Sequence, residues 1–129
     1  KKNISLFSIK QYLKNNEDQI DEIFNYNERY IFFKTKEYDD DSAIGALGMN
    51  LKPGVSIAVD KKYYPLGLPF LVLTNNFRNS FLGIASDTGS AIIGPNRADL
   101  FTGRGYSAEK KAGNLKKKLI LYALVPYGD

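Results

Sequence analysis

Apolar side chains recur at helical spacing near the start of the chain. Ile9, Tyr12 and Leu13 share one side of a helix, and the Ser8/Gln11 spacing matches a capping box at its start. The polar run from Asn15 to Asp18 interrupts the pattern. Ile20, Ile23 and Phe24 then predict a second short helix that ends near Asn25 to Asn27. Residues 30–33 are aromatic or β-branched throughout and predict a strand, and an acidic, loop-like stretch with Asp39, Asp40 and Asp41 in series follows at 36–42. Beyond it, short apolar runs alternate with glycine and proline turn signals and predict strands at 44–47, 55–59, 70–73, 81–86 and 120–125. One later segment has helical character, with Ser107 as its cap and the helix formers Ala108, Glu109, Lys110, Lys111 and Ala112 behind it. Many short strands with few helices predict a small closed barrel in preference to a doubly wound sheet.

Composition narrows the chemistry. With 129 residues, 43% of them hydrophobic and 25% charged, the chain suits one globular core. It has no cysteine and no histidine, which removes disulfides, thiolate metal sites, the imidazole general base and the Ser-His and Cys-His nucleophile systems. Acid–base work near neutral pH is left to carboxylates, lysines and tyrosines. The net charge of +4 favours an anionic partner, for which nucleic acid, anionic lipid or an acidic wall polymer would all qualify.

The most basic stretch, Lys110, Lys111, Lys116, Lys117 and Lys118, reads as a solvated helix face. Aromatic interleaving or a recognised nucleic-acid module is lacking, so nucleic acid is not the expected partner. The run Asp39 to Asp41 lacks the glycine and terminal glutamate of an EF-hand loop, and no metal is expected there. No apolar run reaches the roughly 20 residues of a membrane span. The chain begins at Lys1 without methionine and is expected to be a processed form or a fragment.

Three segments carry a resemblance. Ser56-Ile-Ala-Val-Asp60, continuing to Tyr64-Pro-Leu-Gly67, resembles the strand, aspartate and Pro-Leu-Gly turn of the three-aspartate barrel domains found in wall-remodelling proteins. Ala85-Ser-Asp87-Thr-Gly-Ser-Ala-Ile92 resembles their Asp-Thr-Gly-Gly-Ala-Ile motif, and Arg97-Ala-Asp99-Leu-Phe101, followed by Gly103 and Gly105, resembles the segment of the third aspartate. The two N-terminal helices running into Asn27-Glu-Arg-Tyr30-Ile-Phe-Phe33 resemble the Asn-Pro-Ser-Tyr-Val-Phe-Phe segment of the A-type lytic murein transglycosylases, as does Gly45-Ala-Leu-Gly48 for what comes next. Ser90, Ile93 and Asn27-Glu depart from the usual motif residues, yet every aspartate is kept.

The resemblance implies a mainly β fold, a six-stranded double-psi β-barrel with short peripheral helices over residues 36–129, led into by N-terminal helices and a strand over 1–35. It implies an enzyme that cleaves the β-1,4 bond between N-acetylmuramic acid and N-acetylglucosamine in peptidoglycan, without cofactor or metal, and releases 1,6-anhydro products. Ordinary glycosidases use two carboxylates; the family resembled here uses one, which protonates the glycosidic oxygen and then takes the proton of the sugar's own C6 hydroxyl. Carried over residue by residue, Asp99 is that acid and base. Asp87, twelve positions before it, is its catalytic neighbour. Asp60 is a candidate substrate contact; from residue type, Thr88, Gly89, Ser90 and Ala91 are small residues that let a glycan approach the backbone, a tight turn explaining them equally well, and Arg97 would meet lactyl or peptide carboxylates or else take an ordinary surface position. Asp60, before Lys61 and Lys62, would equally serve to hold a turn.

The resemblance further implies glycan strands as partner, a further N-terminal domain or fragment, and a periplasmic place as an outer-membrane lipoprotein of a Gram-negative bacterium, with membrane contact only through an anchor outside this chain. Two rivals stand beside it. One is a peptidoglycan-binding or structural barrel without activity. The other is a hydrolase using the Asp87 and Asp99 pair with water. Asp87-Thr-Gly also spells the aspartic-protease triplet, but Ser90 stands where those enzymes place alanine.

Overall fold

The structure, a computed structural model, describes residues 4–33, 35 and 43–128. The acidic run Asp39 to Asp41 lies outside the described residues. The chain divides into two compact units, Lys1–Asp39 and Asp40–Asp129.

In the first unit, α1 spans Leu6–Asn15. Its capping box sits one turn earlier than the sequence suggests: Ser5 is the N-cap, its hydroxyl accepts from the Ser8 amide, and the Ser8 hydroxyl accepts from the Ser5 amide. Ser8 can fill the third position because its short hydroxyl reaches back as a glutamine would. A single 3-10 turn, Glu17–Gln19, leads into α2, Ile20–Asn25. The Tyr12 hydroxyl donates to Gln19 Oε1 at 2.8 Å and ties α1 to this turn. The strand predicted at 30–33 does not form, and Tyr30, Ile31, Phe32 and Phe33 are all exposed. β-propensity creates no strand without a partner to receive its amides.

The second unit is a five-stranded sheet in the order β4-β1-β3-β2-β5. The strands are β1 (Ser56–Val59), β2 (Pro69–Thr74), β3 (Phe81–Asp87), β4 (Ala98–Leu100) and β5 (Leu119–Ala123). β1 runs parallel to β3 and antiparallel to β4, while β2 is antiparallel to both β3 and β5. Alternation along each strand sends one set of side chains inward. Ile57 and Val59 of β1, Phe70 and Val72 of β2 and Ala85 of β3 form the buried core, with Tyr64, Leu68, Phe81, Ala98, Leu100, Leu119 and Leu121 packed around it. Tyr64 meets Phe70 edge to face, ring centroids 4.9 Å apart.

The other face of β2, β3 and β5 is apolar as well: Leu71 lies between Leu82 and Tyr122, and Leu82, Ile84, Ile120 and Tyr122 are exposed. Two expectations need correction. Residues 44–47 form no strand; Ile44 makes a single bridge to Asn50 around a turn. The late helix, α3, spans Gly105–Asn114 with Arg104 at its N-cap, so Ser107 lies inside its first turn, and buried Ala108 anchors it through its carbonyl, which accepts from Thr102 Oγ1.

Candidate active site

β1 is the axis of the site. Its Ala58 is paired with Asp87 of β3 on one side and with Asp99 of β4 on the other. Cross-strand partners share a face, so the two carboxylates flank a methyl group, their backbones separated by two strand spacings of about 4.8 Å each. Neighbours of Asp99 confirm the sidedness: Ala98 and Leu100 turn to the core, which leaves Asp99 on the opposite face. Asp87, Asp99 and Ala58 line one pocket of about 180 Å³, walled by Leu51, Ser56, Ile57, Leu100 and Phe101.

A bulge puts Asp87 there. Ile57 pairs with Ala85, yet the next residue, Ala58, pairs with Asp87, so Ser86 is an extra residue in β3. In regular alternation Asp87 would share the face of Ala85, which is fully buried in the core. The extra residue turns it over to the face of Ala58. Ser86 is held in the bulge by its hydroxyl, which donates to the Ile84 carbonyl, and by its own carbonyl, which accepts from the Leu47 amide at 3.0 Å.

The turn at 44–50 also fixes the Asp87 side chain. Oδ1 accepts from the Ala46 amide at 2.9 Å. Buried Gly45 permits the approach, since a Cβ there would collide with the Ser86 carbonyl oxygen. Asp99 is differently placed. It is half-exposed, and among the described residues its carboxylate accepts from the Arg97 guanidinium alone, Nε to Oδ1 at 3.4 Å and Nη2 to Oδ2 at 3.5 Å. Exposed pairs of this length contribute about 0–1 kcal/mol. Arg97 can therefore leave with little cost.

Asp60 sits at the end of β1 and is buried. Its Oδ2 accepts from the Gly94 amide at 2.8 Å and its Oδ1 from the Lys62 amide at 3.0 Å. These two amides, Gly94 foremost, hold its carboxyl below the ordinary aspartate value, helped by the charge of Lys62. Asp60 thus ties the loop after β3 to the end of β1. Within that loop the Ile92 amide donates to the Gly89 carbonyl, closing a turn with Ser90 and Ala91 exposed at its tip, and the Tyr64 hydroxyl donates to the Pro95 carbonyl. A second pocket, about 320 Å³, is lined by Val59, Asp60, Lys61, Lys62, Thr88, Gly89, Ser90, Ile92 and Ile93.

The pH dependence of stability follows from Asp60. Its folded-state pKa is depressed, so its contribution is complete above the unfolded value of about 3.9 and is lost as pH falls through the folded value. Asp60→Asn is expected to melt at lower temperature than wild type at pH 7, with the gap closing as pH drops below about 4. Thermal melts at pH 7 and at pH 2.5 to 3 (about one unit below that value) check this; a gap unchanged over that range would mean that the charge of Asp60 is not its source.

The sequence match agrees with this architecture. Residues 55–125 fit the model of the 3D domain family. The membrane-bound lytic murein transglycosylase A of Vibrio cholerae is 32% identical over 123 residues, covering 88% of this chain and 33% of that protein. Among solved structures, the membrane-bound lytic murein transglycosylase of Agrobacterium tumefaciens superposes with a TM-score of 0.78 at 36% identity, over 97% of this chain and 36% of its own. MltA of Neisseria gonorrhoeae gives 0.77 at 35% identity, over 97% and 33%. The chain belongs to the 3D domain family, with its 3D region in the form that the MltA transglycosylases carry. It spans about a third of the length of these relatives.

Proposed function

We propose that this chain supplies the acid–base carboxylate of a lytic murein transglycosylase, with Asp99 in that role. The observation that carries the reading is the pair of carboxylates flanking Ala58 in one pocket, Asp99 accessible and Asp87 fixed. The Asp99 carboxyl gives its proton to the oxygen between C1 of N-acetylmuramic acid and C4 of N-acetylglucosamine. The C1–O bond breaks and the glucosamine leaves with a 4-hydroxyl. The Asp99 carboxylate then takes the proton of the C6 hydroxyl as O6 closes on C1, giving the 1,6-anhydro ring and restoring the acid. Water is not consumed.

In this reading Asp87 is the second charged group of the site. One of its oxygens is held by Ala46, and the other, which has no hydrogen bond among the described residues, faces a sugar hydroxyl. Arg97, Thr88, Gly89, Ser90 and Ala91 are substrate contacts, and Asp60 holds the loop that carries four of them. The sheet is one wall of a six-stranded double-psi barrel. Among the described residues its outer edges at β4 and β5 pair with no further strand, which is where a sixth strand would join. The protein works on glycan strands in the periplasm, held at the outer membrane.

Digestion of purified murein by the intact protein is expected to release 1,6-anhydro-muropeptides, separable by chromatography and identified by mass. Products with only reducing ends would make it a hydrolase. Binding without any cleavage would make it a glycan-binding barrel.

A further inference from the structure

The two pockets share strand ends: Ala58 and Asp87 line the first, and the residues next to them, Val59 and Thr88, line the second. Their charges differ in sign. Two carboxylates face the first pocket. Lys61 and Lys62, both exposed, line the second together with Asp60, whose two oxygens are already taken by the Gly94 and Lys62 amides. Thr88 and Ser90 add hydroxyls and Ile93 an exposed apolar patch.

Deepening the transglycosylase reading on which it rests, we propose that the second pocket, through Lys61 and Lys62, takes the carboxylates of the peptide stem borne by the muramic acid whose bond lies at Asp99. The hydroxyl and acetamido groups of the sugars are neutral and give the lysines no ion partner. The muramic acid lactyl group starts at O3, two ring carbons from the scissile C1, and its peptide carries carboxylates away from the ring. An acidic cleavage pocket adjoining a basic one matches that division of charge. Ile93 suits the methyl groups of the lactyl unit and of alanine, and the lysines with the Thr88 and Ser90 hydroxyls suit the carboxylates. The glycan would thus be cut most readily where its peptides are still attached.

The test compares soluble glycan strands that carry peptide stems with the same strands stripped of peptide by an amidase and then capped as methylamides at the lactyl carboxylates that the hydrolysis leaves. Lys61→Gln combined with Lys62→Gln keeps the backbone amide that Asp60 uses, so the fold is preserved. On peptide-bearing strands KM is expected to rise about tenfold or more with kcat little changed, because charge-assisted contacts to the bound substrate are removed. On stripped strands the variant and wild type should be alike. The charge-keeping pair Lys61→Arg with Lys62→Arg should recover most of the loss. Equal loss on both substrates, or none on either while wild type cleaves both, overturns the subsite. Failure of wild type to cleave either one overturns the transglycosylase reading, and this inference with it.

Discussion

Asp99→Asn is expected to lower murein turnover by about 10²- to 10⁴-fold, the range for loss of a general acid–base group. Asparagine keeps the size and one acceptor oxygen but cannot cycle a proton. Asp99 is half-exposed on an edge strand and bonds only Arg97 among the described residues, so melting temperature and glycan binding should be retained. Asp87→Asn should cost less in turnover, since it removes a neighbouring charge and leaves one acceptor for the Ala46 amide. Rates should be compared on variants shown by thermal melts to be equally folded. Near-wild-type turnover in Asp99→Asn together with none in Asp87→Asn would exchange the two roles.

The largest effect on stability is expected at Phe70. It is fully buried, touches Tyr64 edge to face and lies among Ile57, Val59, Val72 and Ala85. Phe70→Ala should cost about 3–5 kcal/mol through lost transfer energy and the cavity left behind, a large share of the roughly 5–15 kcal/mol by which domains are stable. Tyr64 would lose its ring partner too, and with it the anchor that its hydroxyl gives Pro95 in the segment before β4. Leu82→Ala is the control. Leu82 is 64% exposed on the other face of the sheet, and its loss should change stability by no more than about 0.5 kcal/mol. Urea unfolding of the three proteins measures both. A cost at Leu82 equal to that at Phe70 would show that the outer face is covered in the intact protein.

Much of the sheet is legible in the pattern of side chains. β2, β3 and β5 carry long apolar runs, and turn residues bracket them. β4 is not legible. It has three residues with a charged one at the centre, and pairing with β1 rather than propensity makes it a strand. The run at 44–47 misleads for the reverse reason: its apolar residues carry the turn that holds Asp87, and Gly45 serves close approach rather than extension. Among the site residues, the three aspartates come from resemblance to a family, since spacing alone gives no partner for any of them. The placing of Asp87 and Asp99 on the two sides of Ala58 depends on strand order and register, which no local pattern encodes. The division between an accessible Asp99 and a tethered Asp60 likewise depends on amides distant in sequence, such as that of Gly94.

The offset at Ser86 makes the position of Asp87 a matter of chain length as well as residue identity. Point changes at Asp87 can remove the carboxylate, but a one-residue change in length between Ile84 and Asp87 would aim it into the core. Transplanting Asp87 onto another parallel strand pair therefore requires the extra residue to travel with it. An ungapped alignment of β3 to a regular strand would match the letters and assign the aspartate to the wrong side of the sheet.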